Sequence, residues 1–293
     1  MANSMRSRKI LRLAAITAAI LCMPFGAAAQ NTSTQAATPA ANGMEAPPVL
    51  WIEREGVKPG QEEAHTEVVH KILEKYAQQK ITFRVLGAEG ILPDQNEALF
   101  LIHFKSFAEL DEFEKNLRAQ PEDFQKAITD LESQENATHS SKISLATVFR
   151  PDLSYRADAS AVAKARLLWT CQFIVPAGHV PEFESDVHFL SDAYAKAGVD
   201  DHYFMYQELA GAESQTFIVL RPMKSLADWD KPTPDVGKNL DDAGKFRLAH
   251  IWKDETLQGA GISVDRLYVL RPDLSQTSDQ FAAFDPDFWR PKK

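Results

Sequence analysis

The sequence is short of the features that usually betray a chemistry. It holds two cysteines, Cys22 and Cys171, in 293 residues, and Cys22 falls in a leader expected to be removed. The one remaining thiol can make neither an intramolecular disulfide nor a cysteine-only metal cluster. Lysine and arginine number 32 against 41 acidic residues, for a net charge of -9. That balance excludes a nucleic-acid surface, which needs a basic patch to displace counterions. Past the leader no apolar run approaches the ~20 residues that span a bilayer as a helix. There is no Gly-rich phosphate loop, no Gly-x-Ser-x-Gly elbow and no His-Glu-x-x-His.

What is present begins with an export signal. Arg6, Arg8, Lys9 and Arg12 precede the apolar stretch Leu13 to Phe25 and the small residues Ala27-Ala28-Ala29. Residues 1–29 therefore read as a signal peptide cleaved after Ala29. Cleavage takes the charge from -9 to -13. The expected product is periplasmic or secreted, with no stable membrane insertion. Residues 30–47, rich in Thr, Ala, Asn and Pro, read as a disordered linker. Cys171 sits in the apolar run Leu167 to Phe173, where a cysteine is packed and inert. The tail, 276–293, carries Phe281, Phe284, Phe288 and Trp289, too many aromatics for a linker, so it is expected to lie across the folded body.

The body is a duplication. Phe149-Arg150-Pro151-Asp152-Leu153-Ser154 returns as Leu270-Arg271-Pro272-Asp273-Leu274-Ser275, an offset of 121. Leu50-Trp51 matches Leu168-Trp169, and His70 with Tyr76 matches His188 with Tyr194, both at 118. Lys105-Ser106 matches Lys224-Ser225 at 119. Each copy opens with an extended run, Val49 to Glu55 and Leu167 to Val175. A Pro/Gly turn follows, then a helix with acidic residues in its first turn, favoured at the positive end of the helix dipole. Strands are expected at Ile81 to Leu86 and Ala98 to Phe104, and at Tyr203 to Gln207 and Thr216 to Leu220. A second helical stretch and a last strand complete each unit, with the proline of Arg-Pro-Asp-Leu ending that strand.

The order βαββαβ is that of a ferredoxin-like unit. A sheet with both helices on one face leaves its other face to be covered. The expected fold class is therefore α+β, with two tandem ferredoxin-like units, 48–155 and 166–275, forming an intramolecular α/β barrel across a linker at 156–165. The opening strand followed by Val57-Lys58-Pro59-Gly60 and the acidic Gln61-Glu62-Glu63 resembles the dimeric α/β-barrel superfamily, which includes antibiotic-biosynthesis monooxygenase-like and NIPSNAP-like domains. That resemblance implies a fold and leaves activity open, since such barrels include cofactor-independent oxygenases and haem-handling enzymes.

Candidate site residues follow from polar side chains on apolar strands. Leu99, Leu101 and His103 alternate away from the helix-facing Ala98, Phe100, Ile102 and Phe104, so His103 should point between the sheets. The second copy places Leu220 there. An imidazole in such a space can act as a base or bind a polar ligand atom, or simply bond a neighbouring carbonyl. Arg54, Arg84, Gln172 and Arg266 could clamp an anion, or form internal ion pairs, because buried charge is costly unpaired. Trp169 recurs as Trp51, more in the manner of a core residue than of a binding platform. The repeated His70/His188 reads as a boundary residue, and the Glu67-x-x-His70 step lacks the partners of a di-metal site.

These residues lead to an exported barrel that binds a small, partly apolar molecule between its sheets, with no cofactor and no metal. Its reading leans away from an enzyme, and self-association stays open. Two alternatives stand beside it: a cofactor-independent monooxygenase or haem-degrading-type enzyme with His103 as base, and a scaffold whose barrel is filled by its own side chains.

Overall fold

Residues 43–92, 95–212, 215–231, 234–251 and 264–291 are described by the computed structural model. The expected signal peptide and the linker as far as residue 42 lie outside them. In the first repeat the strands are β1 (Val49–Val57), β2 (Val85–Gly90), β3 (Glu97–Phe104) and β4 (His139–Phe149), with helices α1 (Glu62–Gln78), α2 (Phe107–Arg118) and α3 (Glu122–Thr138). The connecting segment carries α4 (Ala159–Ala163). The second repeat has β5 (Leu167–Val175), α5 (Val180–Ala197), β6 (Phe204–Ala210), β7 (Gln215–Met223), α6 (Asp242–His250) and β8 (Val264–Gln276). Two short helices, α7 (Asp279–Ala282) and α8 (Pro286–Trp289), form the tail. No helix among the described residues is long and apolar enough to cross a membrane.

The strands close one barrel in the order β1-β3-β2-β8-β5-β7-β6-β4. Read by halves, this is β4-β1-β3-β2 joined to β8-β5-β7-β6, so each half keeps the ferredoxin-like order. The two sheets meet edge to edge along β2–β8 and β4–β6, both antiparallel. Closure leaves no strand edge to be protected.

Strand periodicity then fixes two layers of core. On β3, Ala98, Phe100, Ile102 and Phe104 pack under the helices with Val69, Leu73 and Phe113. Leu99 and Leu101 face inward, where they meet Leu50 and Leu145 of their own repeat and Leu168, Tyr206, Ile218 and Leu270 of the other. The inner core is therefore a joint product of both copies.

Helix ends obey local rules. Ser106 caps α2 by accepting from the Glu109 N–H at 3.2 Å, and Glu109 accepts in return from the Lys105 N–H, a reciprocal arrangement that satisfies donors the helix leaves open. Gly198 ends α5 in the left-handed region at φ 66°, where a side chain would be strained.

Three expectations shift. The second strand starts at Val85 rather than Ile81, because Ile81 packs with Tyr76, Phe124 and Ile128 in the helical layer. After Lys224-Ser225 the described residues make a 3-10 turn, Leu226–Asp230, ahead of α6, whereas the first repeat builds two full helices there. Pro151 follows the end of its strand as expected, but β8 runs on through Pro272 to Gln276, with the missing donor absorbed by a register shift opposite Val85 and Gly87.

The repeated Arg-Pro-Asp-Leu-Ser is the latch between halves. Leu153, at the end of the first repeat, is fully buried among Phe183, Met205 and Phe217 of the second. Leu274, at the end of the second, is fully buried among Val49, Val69 and Phe100 of the first. Ser154 Oγ accepts from the Met205 N–H at 2.9 Å, and Ser275 Oγ accepts from the Gly87 N–H at 2.9 Å. Arg150 pairs with Asp152 at 2.6 Å and donates across the seam to Gln207 at 2.7 Å. Its counterpart Arg271 pairs with Asp273 at 2.6 Å and reaches Glu89 across the other seam. His70 contacts that Asp273 at 3.1 Å, which assigns the repeated histidine to the same latch.

The tail folds back as its aromatic content suggests. Trp289 is buried and its indole N–H donates to the Ala163 carbonyl at 2.7 Å, with Phe281 and Phe288 packed on its ring. Residues 44–47, at the end of the linker, also pack here. The Met44 N–H donates to Asp158 at 2.9 Å, and the Tyr206 hydroxyl donates to the Pro47 carbonyl at 3.0 Å.

Gly87 sits where β2 meets the bulged end of β8, and a Cβ there would collide with the Leu274 backbone. Backbone cannot give way as a flexible side chain can. Gly87→Ala is expected to lower unfolding stability by about 1–3 kcal/mol, the usual cost of overpacking, read as a drop in the urea midpoint. An unchanged midpoint would mean that this seam is not tightly held.

Candidate functional site

The barrel interior has two chemically distinct ends. β1 and β5 both begin at the end covered by the tail. There, an apolar cavity of about 80 Å³ is lined by Leu50, Leu101, His103, Leu168, Tyr206 and Phe281, among others. His103 reaches it because it lies opposite Leu50 on the inward face of β3. Its counterpart in the second repeat is Pro222, which lies opposite Leu168. Leu220 lines the same cavity but corresponds to Leu101, each two residues earlier on its strand than His103 and Pro222.

Burial, reinforced by the charge of Arg84, pushes the His103 imidazole down to about 4. The ring is therefore neutral at pH 7, with one nitrogen able to donate and the other to accept. Arg84 stands beside it through a backbone bond, its carbonyl accepting from the His103 main-chain amide N–H at 3.1 Å.

Arg54, Gln172 and Arg266 are gathered deeper along the barrel. Arg54 donates to Gln172 Oε1 at 3.0 Å, so two equivalent positions of the repeats meet across the barrel. Both arginines converge on Glu97, Arg54 at 3.4 Å and Arg266 at 3.3 Å. The Tyr268 hydroxyl also donates to Glu97. The anion between the arginines is thus the chain's own carboxylate. Glu97 escaped the sequence reading because it opens a strand beside a loop, where an acidic residue ordinarily faces water.

Trp169 lies on the outer face of its strand, apart from both groups. The Arg221 guanidinium sits 4.6 Å from its ring and Trp229 packs edge-on at 5.9 Å. Of the six candidates, then, three share one cluster, Arg84 and His103 adjoin at the cavity end, and Trp169 stands outside the barrel. Cys171 is half-buried beside the second repeat's helical core.

A further polar group occupies the helix-facing side of the first repeat. Glu55, His65, Glu135 and His139 place one potential ligand atom each within 4.8 Å of all the others. Nothing in the sequence singles them out, since they come from β1, α1, the last turn of α3 and the start of β4. Burial alone would raise the Glu55 carboxyl, but His139, His65 and Lys142 outweigh it and hold Glu55 well below the usual carboxylate range. Burial and the neighbouring Glu55 charge push Glu135 up to about 8. The Glu67-His70 step is separate from this group: Glu67 faces Lys71 at 3.9 Å.

His103 makes the fold pH-sensitive in a defined window. With a folded value near 4 against about 6.5 when unfolded, the unfolded chain binds more protons between those values. Stability from this group is whole above about pH 6.5 and falls as the pH drops towards 4, by about 3 kcal/mol in all. His103→Leu is expected to flatten that part of the stability–pH curve, and the wild-type ring should titrate in NMR near pH 4. A ring titrating near 6.5 would remove the buried neutral imidazole.

No protein-family model matches the sequence, and no curated protein matches it. Among solved structures, an anthrone oxidase-like protein is similar over 78% of this chain and 93% of its own, at 12% identity and TM-score 0.49. A Lactobacillus acidophilus protein assigned as a monooxygenase covers 77% of this chain and 94% of its own, at 8% identity and TM-score 0.46. A chlorite dismutase mutant from Candidatus Nitrospira defluvii covers 82% and 96%, at 9% identity and TM-score 0.47. At such identities a likeness concerns the fold alone. The strand order of the chain itself makes it a closed α/β barrel built from two tandem ferredoxin-like units.

Proposed function

We propose that the barrel of this exported protein is a receptacle for a small, mainly apolar molecule with one hydrogen-bonding atom, held beside His103 beneath the C-terminal tail. The observation that supports the reading is a neutral imidazole set among leucine and aromatic side chains at a cavity wall. Apolar walls give affinity through desolvation, and a single convergent polar group fixes orientation. At about 80 Å³ the closed cavity is smaller than the ~150 Å³ that takes a benzene ring, so even a one-ring occupant requires the tail to swing away. Phe281, itself in the wall, is where such an opening would begin.

A second reading rests on the same imidazole. In cofactor-independent oxygenation, with molecular oxygen as co-substrate, the first step is loss of a substrate proton to a base. An imidazole held down to about 4 is a weak base, so this reading requires a substrate far more acidic than a simple phenol. A haem does not fit the cavity, because ligands of that size occupy sites of roughly several hundred Å³ against about 80 Å³ here.

Phenol and toluene serve as paired probes, differing by the hydroxyl. Phenol should perturb the amide signals of Leu101 and Leu220 and bind more tightly than toluene. His103→Leu should reduce that preference by about fivefold, the worth of one hydrogen bond. If neither probe disturbs the barrel walls, the interior is filled and the protein acts through its surface. Oxygen uptake with such a more acidic substrate, lost in His103→Leu, would favour the catalytic reading over binding alone.

A further inference from the structure

We propose that Glu55, His65, Glu135 and His139 form a binding site for one divalent cation of the zinc or iron(II) class, between the helices and the sheet of the first repeat. The proposal stands apart from the barrel and does not depend on what the barrel holds.

The donor set comes first. Two imidazoles with two carboxylates suit borderline transition-metal ions, whereas magnesium and calcium favour all-oxygen shells. The four ligand atoms lie within 4.8 Å of one another. In a tetrahedral site with bonds of about 2.0–2.2 Å the donors stand roughly 3.3–3.6 Å apart, so the widest pair must close by about an ångström. Glu135, on the last turn of α3, is the donor whose long side chain would make that movement.

The second observation is an orphaned histidine. His139 is 91% buried, and neither of its ring nitrogens has a hydrogen-bond partner. Its Nε2 lies 3.4 Å from Glu55 Oε2 but out of line for a hydrogen bond. An unsatisfied buried polar group is costly, and a metal ion would satisfy one of these nitrogens. His65 Nε2 approaches the same Glu55 oxygen at 3.0 Å. The other oxygen of Glu55 accepts from Lys142 at 2.7 Å. The carboxylate is thus oriented by an ammonium on one side and faces both imidazoles with the other, as metal ligands are commonly held by a hydrogen bond from behind.

The duplication supplies an internal control. By the 118-residue offset, Glu55 corresponds to Phe173 and His65 to Phe183, each the fourth residue of its helix in the latter case. In the second repeat those two rings pack against each other at 5.6 Å and fill the space with hydrocarbon. The fold therefore accepts an apolar pair at this place. A buried charged pair is often no better for stability than such a filling, so its presence in one half alone points to a ligand.

The test uses full-length mature protein stripped with a chelator and titrated with Zn²⁺ against a chromophoric competitor, and with Co²⁺ followed by visible absorption. One equivalent per chain is expected, with Co²⁺ d–d bands and a rise in Tm on Zn²⁺ addition. His139→Gln, which keeps the volume, should weaken Zn²⁺ binding by at least about a hundredfold. The double variant Glu55→Phe/His65→Phe, which installs the residues of the second repeat, should bind no zinc at this site while keeping wild-type circular dichroism. Failure of wild type to bind Zn²⁺, or equal affinity in wild type and the double variant, would overturn the proposal and leave the cluster as an ion-pair network closed by Lys142.

Discussion

The structure depends on the exchange of strand ends between its two halves. Leu153 leaves the first repeat to fill the helix-covered core of the second, and Leu274 does the reverse. Each is carried there by a strand that pairs across a seam, β4 on β6 and β8 on β2. A ferredoxin-like sheet alone has a bare face and two open edges, both unfavourable in water. Pairing edges and exchanging leucines solves both problems at once. It also explains why Arg-Pro-Asp-Leu-Ser is the best-preserved stretch of the duplication: each polar residue in it bonds either its own turn or the opposite half.

Closure makes the interior, and the interior makes the chemistry. Inward positions from both halves converge on a space that neither encloses alone, so residues at equivalent positions become neighbours, as Arg54 and Gln172 are. Their divergence from one another creates polarity along the barrel. One end has Glu97 holding two arginines and Tyr268, a largely self-satisfied network. The other has His103 in hydrocarbon, beneath a tail anchored by Trp289. Desolvation that neutralises His103 also makes it useful, because a neutral ring can both donate and accept. The same divergence outside the barrel sets Phe173 and Phe183 in one half against Glu55 and His65 in the other.

Much of this was legible in the sequence because it rests on period and repetition. The alternation along Ala98 to Phe104 placed His103 inside, and the doubled motif indicated two units that cover each other. What escaped reading depends on where separate segments meet. Glu97 acts through residues 43 to 171 positions away, and Glu55, His65, Glu135 and His139 come from four elements. Ile81 misled because an apolar residue between helix and strand can belong to either layer. Pro272 misled because a bulge relieves the donor that proline lacks.

The crosswise core is tested most directly by hydrogen exchange on Leu153→Ala and Leu274→Ala. Each substitution empties a fully buried site and should cost about 2–5 kcal/mol. Leu274→Ala is expected to speed amide exchange chiefly in α1, β1 and β3 of the first repeat, and Leu153→Ala chiefly in α5, β6 and β7 of the second. If each variant instead loosened the repeat that contains it and spared the other, the halves would be independent folds and the account of the barrel would be wrong.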